Sequence, residues 1–515
     1  MKAQDYKISS EKFVFHSQGA RLHDTKLETK PISYFRDAFN RFTRNKGSIV
    51  ATIIIAILVL FALIGPLFTP YTVQYADNSY AFVTPKNELF YNLGIPFWDG
   101  GVNKEKINET DYLMYKAIEK EIGRPVVMGE AEREEYVYMG KNKIAYNFRL
   151  DTYNAVGVKY AYLTTDEYIQ LQKYQDEKNI QVIYPAVNEK LLPTSGAFQG
   201  DQASNIWYQL NSSGRIVLDE SGNYVPIYLE NNGKDIYTSK LYSEDYSPEK
   251  YNYAIAKDGG LWKVRVDYRE YYIYQHYLAD DGITAPSFIF GTNNIGKDLF
   301  SCLSNGARFS FMLAIIVASV NLFVGAMYGA VEGYYGGKID ILMERFVEIL
   351  GSIPFMIVIT LLKYHLDVSH MVVLFISFFL TGWTGMAGRT RMQFYRFKNQ
   401  EYVLVSRTLG AKDRRVMFKH IFPNAVGTLI TSSVLVIPSV IFSETSLSYL
   451  GIIDLSTGGT TSVGTLLATG QQYLFTFPHM ILFPAIFISL LMLCFNLFGN
   501  GLRDAFNPSL RGSEE

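Results

Sequence analysis

Two patterns of apolar and polar positions divide the chain. From Ile49 to Phe68 the residues are almost continuously apolar, which fits one helix across a bilayer core that needs about 20 residues. Pro66 and Pro70 mark the far end of this run. The apolar signal then vanishes for a long stretch and returns at Phe309, with further spans expected at about 309–331, 341–362, 370–388, 425–447 and 479–501. Gly325, Gly329, Gly351, Ser352, Gly382 and Gly385 interrupt these spans, as small residues do where membrane helices approach closely. Upstream of the first span, Phe35, Ala38, Phe39 and Phe42 recur at helical spacing between basic residues. This predicts a short helix lying in the membrane interface.

The polar stretch 72–287 reads differently. Tyr136-Val137-Tyr138, Gln181 to Tyr184, Arg215 to Leu218, Tyr224 to Leu229 and Trp262 to Val266 are short, β-branched or aromatic, and bounded by Gly, Asn or Asp. They predict strands. Asp111 to Ile122 and Thr165 to Lys178 predict helices, each with a capping residue near its start. An inserted α+β domain follows.

Charge orients the spans. Arg36, Arg41, Arg44 and Lys46 precede the first one, and the loop from Gly388 to Asn424 carries Arg389, Arg391, Arg396, Lys398, Arg407, Lys412, Arg414, Arg415 and Lys419. Gly451 to His479 contains no Lys or Arg. Short cytoplasmic loops are enriched in these residues, so both termini and the basic loop are expected inside, and 72–307, 363–369 and 448–478 outside. The first span starts too far from Met1 and runs too long to be a cleavable leader. The expected organisation is a cytoplasmic N-terminus with its interfacial helix (1–48), a first span (49–71), an extracellular insert (72–287), a core of five spans (288–505) containing the basic loop 389–424, and a cytoplasmic tail (506–515).

Composition narrows the function further. A formal net charge of −1 argues against a nucleic-acid partner held by phosphate neutralisation. Most of the 38 tyrosines lie in the insert, where they read as packing or as a peptide-binding surface. Cys302 and Cys494 are the two cysteines and both fall in or beside spans, leaving the insert without disulfides or thiolate metal ligands. The histidines show no metal-binding spacing. Gly291 to Asp298 approaches a phosphate-binding loop, but Asp298 stands where the magnesium-binding hydroxyl belongs, and its charge would repel phosphate. That segment is read as a turn and short interfacial helix before the second span. Glu344, Arg345 and Glu348 are read as an ion-paired end of the third span. Glu444, a carboxylate within a span, is either part of a translocation path or a hydrogen bond between helices.

Four groups of residues together resemble the C-type permease subunit of oligopeptide and dipeptide ABC importers. They are Phe42 to Lys46 with Gly65 to Tyr71; Phe290 to Asp298 with Gly306 to Ser310; Gly333 to Asp340 with Ser352 to Phe355; and Glu401-Tyr402-Val403, Leu409-Gly410-Ala411, Phe422-Pro423-Asn424 and Glu444 to Gly451. The resemblance covers 34–71 and 288–510 and leaves 72–287 unmatched. It implies an α-helical membrane protein, a type I ABC-importer permease bundle of about six transmembrane helices carrying the extracellular α+β insert.

It also implies a transport subunit that is not itself an enzyme. ATP and magnesium would sit on two cytoplasmic ABC ATPase subunits, and no cofactor or metal on this chain. The other implied partners are a second homologous permease subunit, an extracellular substrate-binding lipoprotein and membrane lipid, in a bacterial plasma membrane. The basic loop would contact the ATPase through Glu401, Ser406, Arg407, Gly410, Ala411, Asp413 and Pro423. Here Gly410 is expected to end one helix and Pro423 a second. Where the family places an acidic and two small residues, this chain has Leu404, Val405 and Ser406, so Glu401 or Asp413 is the candidate replacement. Pro354 joins Glu444 as a translocation-path or structural candidate. The cargo is expected to be an oligopeptide, with a dipeptide, nickel or another solute as alternatives. A membrane-anchored extracellular sensor or adhesion protein is the competing class. The insert is expected to contact the binding protein or shield the entrance.

Overall fold

The computed structural model describes residues 34–506 except 94, 139–140, 193–200, 230–247, 249–252 and 456–460. Residues 1–33 and most of the expected tail lie outside this range. Helix α1 (Tyr34–Phe42) is followed by α2 (Lys46–Ile64), which Asn45 caps by accepting the Ser48 N–H at 3.2 Å. Ala38 and Phe42 of α1 pack on the last helix of the chain, with the Phe42 and Phe498 rings edge to face at 5.4 Å.

The insert begins with α3 (Glu88–Asn92) and builds two antiparallel sheets. In the first, β3 (Lys141–Asp151) lies between β1 (Gly101–Asn108) and β2 (Val127–Tyr138), and α4 (Glu109–Ile122) covers one face with Ile118 and Ile122 against Phe148 and Leu150. In the second, β7 (Leu261–Asp267) pairs with β4 (Val158–Leu163), β5 (Ile183–Tyr184) and β6 (Ala254–Lys257). Helices α5 (Thr165–Lys178) and α6 (Tyr268–Ala279) pack on it through Tyr168, Leu171, Tyr174 and Tyr274. Arg265 of β7 is buried and grips both oxygens of Glu121 on α4 at 2.7 and 2.8 Å, which ties the two sheets together.

Helices α4, α5 and strands β2 and β7 fall where the sequence places them. The stretches at 215–218 and 224–229 do not form ladder strands; isolated bridges such as Leu218 to Tyr224 and Tyr208 to Pro226 hold them. Strand β2 contains the Glu-rich run Glu130 to Glu135, and α6 is crowded with β-favouring tyrosines. Neighbouring strands and the Asp267 cap override these local preferences.

Asp298 caps α7 (Leu299–Tyr335) directly, accepting the Phe300 and Ser301 N–H groups and the Thr69 hydroxyl, so no interfacial helix intervenes. Burial pushes the Asp298 carboxyl up to about 6 despite these donors. The chain continues through α8 (Gly337–Ser352), α9 (Phe355–His365), α10 (His370–Thr381), α11 (Thr384–Phe397), α12 (Glu401–Thr408), α13 (Asp413–Arg415), α14 (Phe422–Val434), α15 (Val436–Tyr449), α16 (Val463–Gln471) and α17 (His479–Phe506). Among the described residues five helices are long and apolar enough to cross a membrane, or six if α8 and α9 count as one broken span.

That pair corrects the expected straight span at 341–362: the two halves are bent by 73°. Pro354 excludes Ile353 from helical backbone, and Ile353 sits at φ −78°, ψ 119°. Other spans run past the boundaries read from hydropathy. α7 is 37 residues long, about 55 Å at 1.5 Å per residue, because polar residues can extend a helix beyond the apolar stretch.

Packing in the bundle depends on small residues of α7. Gly325, Gly329 and Gly333 form one stripe against α11. An added Cβ would come within 2.7 Å of the Trp383 carbonyl oxygen, 2.1 Å of that of Ala387 and 2.7 Å of that of Arg391, respectively. Gly351 and Gly385, which the sequence groups with them, have open space beside them. Gly329→Val is therefore expected to destabilise the purified protein by about 3 kcal/mol or more, since the strain falls on backbone that cannot yield. Gly385→Ala should leave the thermal melting temperature nearly unchanged; equal effects would refute the stripe.

Candidate functional site

The basic loop lies at the end of α7 opposite the insert, where the C-terminal turns of α7 meet α11, α12 and the segment after Gly410. Glu401 in the first turn of α12 and Arg407 in its last suit the helix dipole. The helix stops at Thr408. Gly410 adopts φ +81°, its N–H bonding to the Arg407 carbonyl at 2.9 Å while the Ala411 N–H reaches the Ser406 carbonyl at 3.1 Å. This left-handed turn suits glycine because a Cβ strains it. No atom lies within 4 Å of an added Cβ there, so the constraint is conformational.

Pro423 does not end the second helix. One helical run continues from Asp413 to Tyr449. Between Val416 and Ile421 it widens to π geometry, with the Phe422 N–H bonding to the Met417 carbonyl five residues back. A regular helix would set the proline ring against the carbonyl four residues earlier and would miss its N–H. The π segment directly before α14 lets the run pass through Pro423.

Helix α12 has two unlike faces. Val403 and Ser406 are buried, with Val403 in a cluster with Tyr334, Phe394, Val416, Met417 and Ile421. Leu404, Val405 and Leu409 are exposed, Leu409 at 83%. The Arg407 guanidinium lies 4.9 Å over the Tyr334 ring, and the Tyr334 hydroxyl donates to Asp413 at 2.6 Å. Asp413 is therefore engaged within the chain. Glu401 is exposed and has no side-chain hydrogen bond or ion pair among the described residues. Ala411 is half-buried and Pro423 exposed.

Behind this loop is a charged cluster that the sequence pattern does not assemble. Arg391 of α11 holds both oxygens of Asp340 on α8, at 2.6 and 3.0 Å, and faces Glu332 of α7 at 3.3 Å and Glu344 of α8 at 3.5 Å. Tyr395 donates to Asp340 at 2.6 Å, and Lys398 donates to the Gly333 carbonyl at 3.0 Å while lying over the Tyr395 ring. Glu332 is fully buried. The expected ion pair of Arg345 with Glu348 is present, whereas Glu344 turns to Arg391. Residues from 332 to 398 meet here, so only the fold brings them together.

The two candidates in the spans are separate from the loop. Glu444 of α15 is fully buried and accepts from Ser310 of α7 at 2.8 Å and from Ser448 at 3.2 Å, a hydrogen-bonded link between helices. Pro354 is exposed at the α8–α9 bend.

Arg391→Ala would leave the buried Glu332 and Asp340 without their counter-charge; breaking a fully buried pair costs about 3–5 kcal/mol, and the partial exposure of Arg391 sets a smaller loss here. A clear fall in melting temperature is expected, with Arg391→Lys intermediate because lysine lacks the two-pronged geometry. An unchanged melting temperature for Arg391→Ala would exclude a structural role for the cluster.

Two family descriptions match the chain: "N-terminal TM domain of oligopeptide transport permease C" over residues 33–85, and "Binding-protein-dependent transport system inner membrane component" over residues 325–512. The oligopeptide transport system permease protein OppC of Bacillus subtilis is 40% identical over 225 residues, which is 43% of this chain and 72% of that protein. The dipeptide transport system permease protein DppC of the same organism is 38% identical over 228 residues, 43% of this chain and 69% of the relative. OppC of Haemophilus influenzae is 38% identical over 226 residues, covering 43% and 70%. Neither family description reaches most of the insert, from residue 86 onward. With its bundle of apolar helices, the chain belongs to the oligopeptide and dipeptide ABC-importer permeases, and is a multi-pass membrane transport subunit that is not an enzyme in its own right.

Proposed function

We propose that this chain takes up oligopeptides delivered by an extracellular binding lipoprotein, and that α12 with the turn at Gly410 transmits force from a cytoplasmic ATPase. The observation that carries this reading is the division of α12. Its inner face is anchored on the end of α7, and its outer face presents Leu404, Val405 and Leu409 to a partner. Isolated exposed leucines need no explanation, but a contiguous apolar face on a short helix rimmed by charge marks an interaction surface. Glu401 serves as the loop's available carboxylate, since Tyr334 already holds Asp413.

The wider assembly comprises a second homologous permease, two ABC ATPase subunits that bind ATP and magnesium, and surrounding lipid. Both termini and the basic loop face the cytoplasm of a bacterial cell, and the insert stands outside. The charge asymmetry between the basic loop and the segment Gly451–His479 supports this orientation. The insert sits against the loop leading into α17, a place from which it can receive the binding protein or shield the entrance.

Leu409→Asp and Gly410→Pro are expected to abolish peptide uptake and peptide-stimulated ATP hydrolysis while the protein stays in the membrane. Replacing both Arg414 and Arg415 by Glu should be milder, because exposed charges contribute little each. Near-normal uptake with Leu409→Asp would reject the coupling role and favour a chain whose spans merely anchor an outer domain.

Protease added to intact cells should cut the insert and spare residues 389–424. Cleavage within the basic loop would invert the proposed orientation.

A further inference from the structure

A cleft of about 400 Å³ opens where the insert meets the loop before α17. That volume falls within the range of about 300–1,000 Å³ typical of small-molecule sites, which are largely apolar with a few placed polar groups. Tyr115 and Ile118 of α4 contribute apolar surface, and Phe477 lines it from the bundle side. Lys104 of β1, Lys159 of β4 and Asp111 of α4 add charge. Both lysines are half-buried. The Lys104 ammonium has no hydrogen-bond or ion-pair partner among the described residues. A partly desolvated ammonium beside an apolar surface favours an anionic partner.

The cleft is also joined mechanically to the bundle. Phe82, another lining residue, stacks on Phe477 at 4.7 Å and meets Tyr473 edge to face at 4.8 Å. Phe82 also holds φ +63°, a backbone region unfavourable for any residue with a Cβ. Strain of this kind gathers at ligand clamps and switches. Phe290 stacks on Phe483 of α17 at 3.9 Å, and the His479 ring lies 3.2 Å from the Thr292 carbonyl oxygen. A molecule in the cleft would therefore touch the insert and the approach to the last span at once.

We propose that this cleft is a subsite for a short, free, apolar peptide. The peptide carboxylate lies on Lys104 and Lys159, its aliphatic side chains on Tyr115 and Ile118, and its amino group toward Asp111. The choice of a peptide rests on the transport reading above, whereas the carboxylate requirement rests on the unpartnered Lys104 ammonium.

The test uses the full chain in lipid nanodiscs, without binding protein, and radiolabelled trileucine in equilibrium dialysis. Saturable binding is expected. Removing the charge-assisted hydrogen bonds to the carboxylate should weaken it about tenfold, both in the Lys104→Ala/Lys159→Ala double variant and for C-terminally amidated trileucine on the wild-type chain. The amidated probe needs no variant, so misfolding cannot mimic the effect. No saturable binding, or equal affinity for free and amidated trileucine, would overturn the subsite.

Uptake of trileucine by cells carrying the wild-type importer separates the two readings. Uptake without binding to the isolated chain removes the subsite and leaves peptide transport standing. Carboxylate-dependent binding without uptake of any peptide removes the transport reading and leaves the subsite.

Discussion

The contact between α7 and α11 is the constraint on which the rest of the bundle depends. Three glycines four residues apart allow the two backbones to meet, and a single Cβ at Gly329 would overlap the Ala387 carbonyl oxygen. Lipid gives apolar helices no hydrophobic reason to associate, so close van der Waals packing and polar contacts between helices carry the load. The same approach brings Arg391 to Glu332, Asp340 and Glu344. A longer separation would leave Glu332 buried without a counter-charge, at a cost of several kcal/mol. The glycine stripe and the charged cluster are therefore one device: the first sets the distance at which the second can form.

The basic loop takes its shape from that device. Tyr334 at the end of α7 holds Asp413 by a hydrogen bond and lies under the Arg407 guanidinium, while Val403, Val416 and Met417 close over it. Helix α12 is thus fixed to the bundle along one face and open along the other. The run His370–Phe397, which ends in α11, and the run Asp413–Tyr449 both lead away from it, so α12 sits between two helices of membrane-spanning length.

At the other end, the insert is attached by aromatic rings as well as by its two chain connections. Phe82 stacks on Phe477 before α17, and the Trp98 indole donates at 2.7 Å to the carbonyl of Ile289, whose neighbour Phe290 stacks on Phe483 of α17. Within the insert, the buried Arg265–Glu121 pair couples the two sheets. A domain tied this way can influence the bundle, which a domain on a flexible tether could not.

The sequence alone determined the division of this chain into apolar spans and a polar insert, because the bilayer imposes a length and a composition that show in any window of about 20 residues. It determined α5 and the left-handed turn at Gly410, where the signals are local: a Thr164 cap for the helix, and a glycine free of Cβ strain for the turn. Tertiary structure decided what local signals cannot carry. Helix α6 is helix despite its tyrosines, because Tyr274 packs among residues of β4 and α5, about a hundred positions earlier in the chain. The π segment before Pro423 and the break before Pro354 show that one residue type has opposite outcomes, set by whether the adjacent helix can widen or must bend. The Arg391 cluster and the cleft at Phe477 draw residues from segments separated by dozens to hundreds of positions, and no periodicity records which of them will meet.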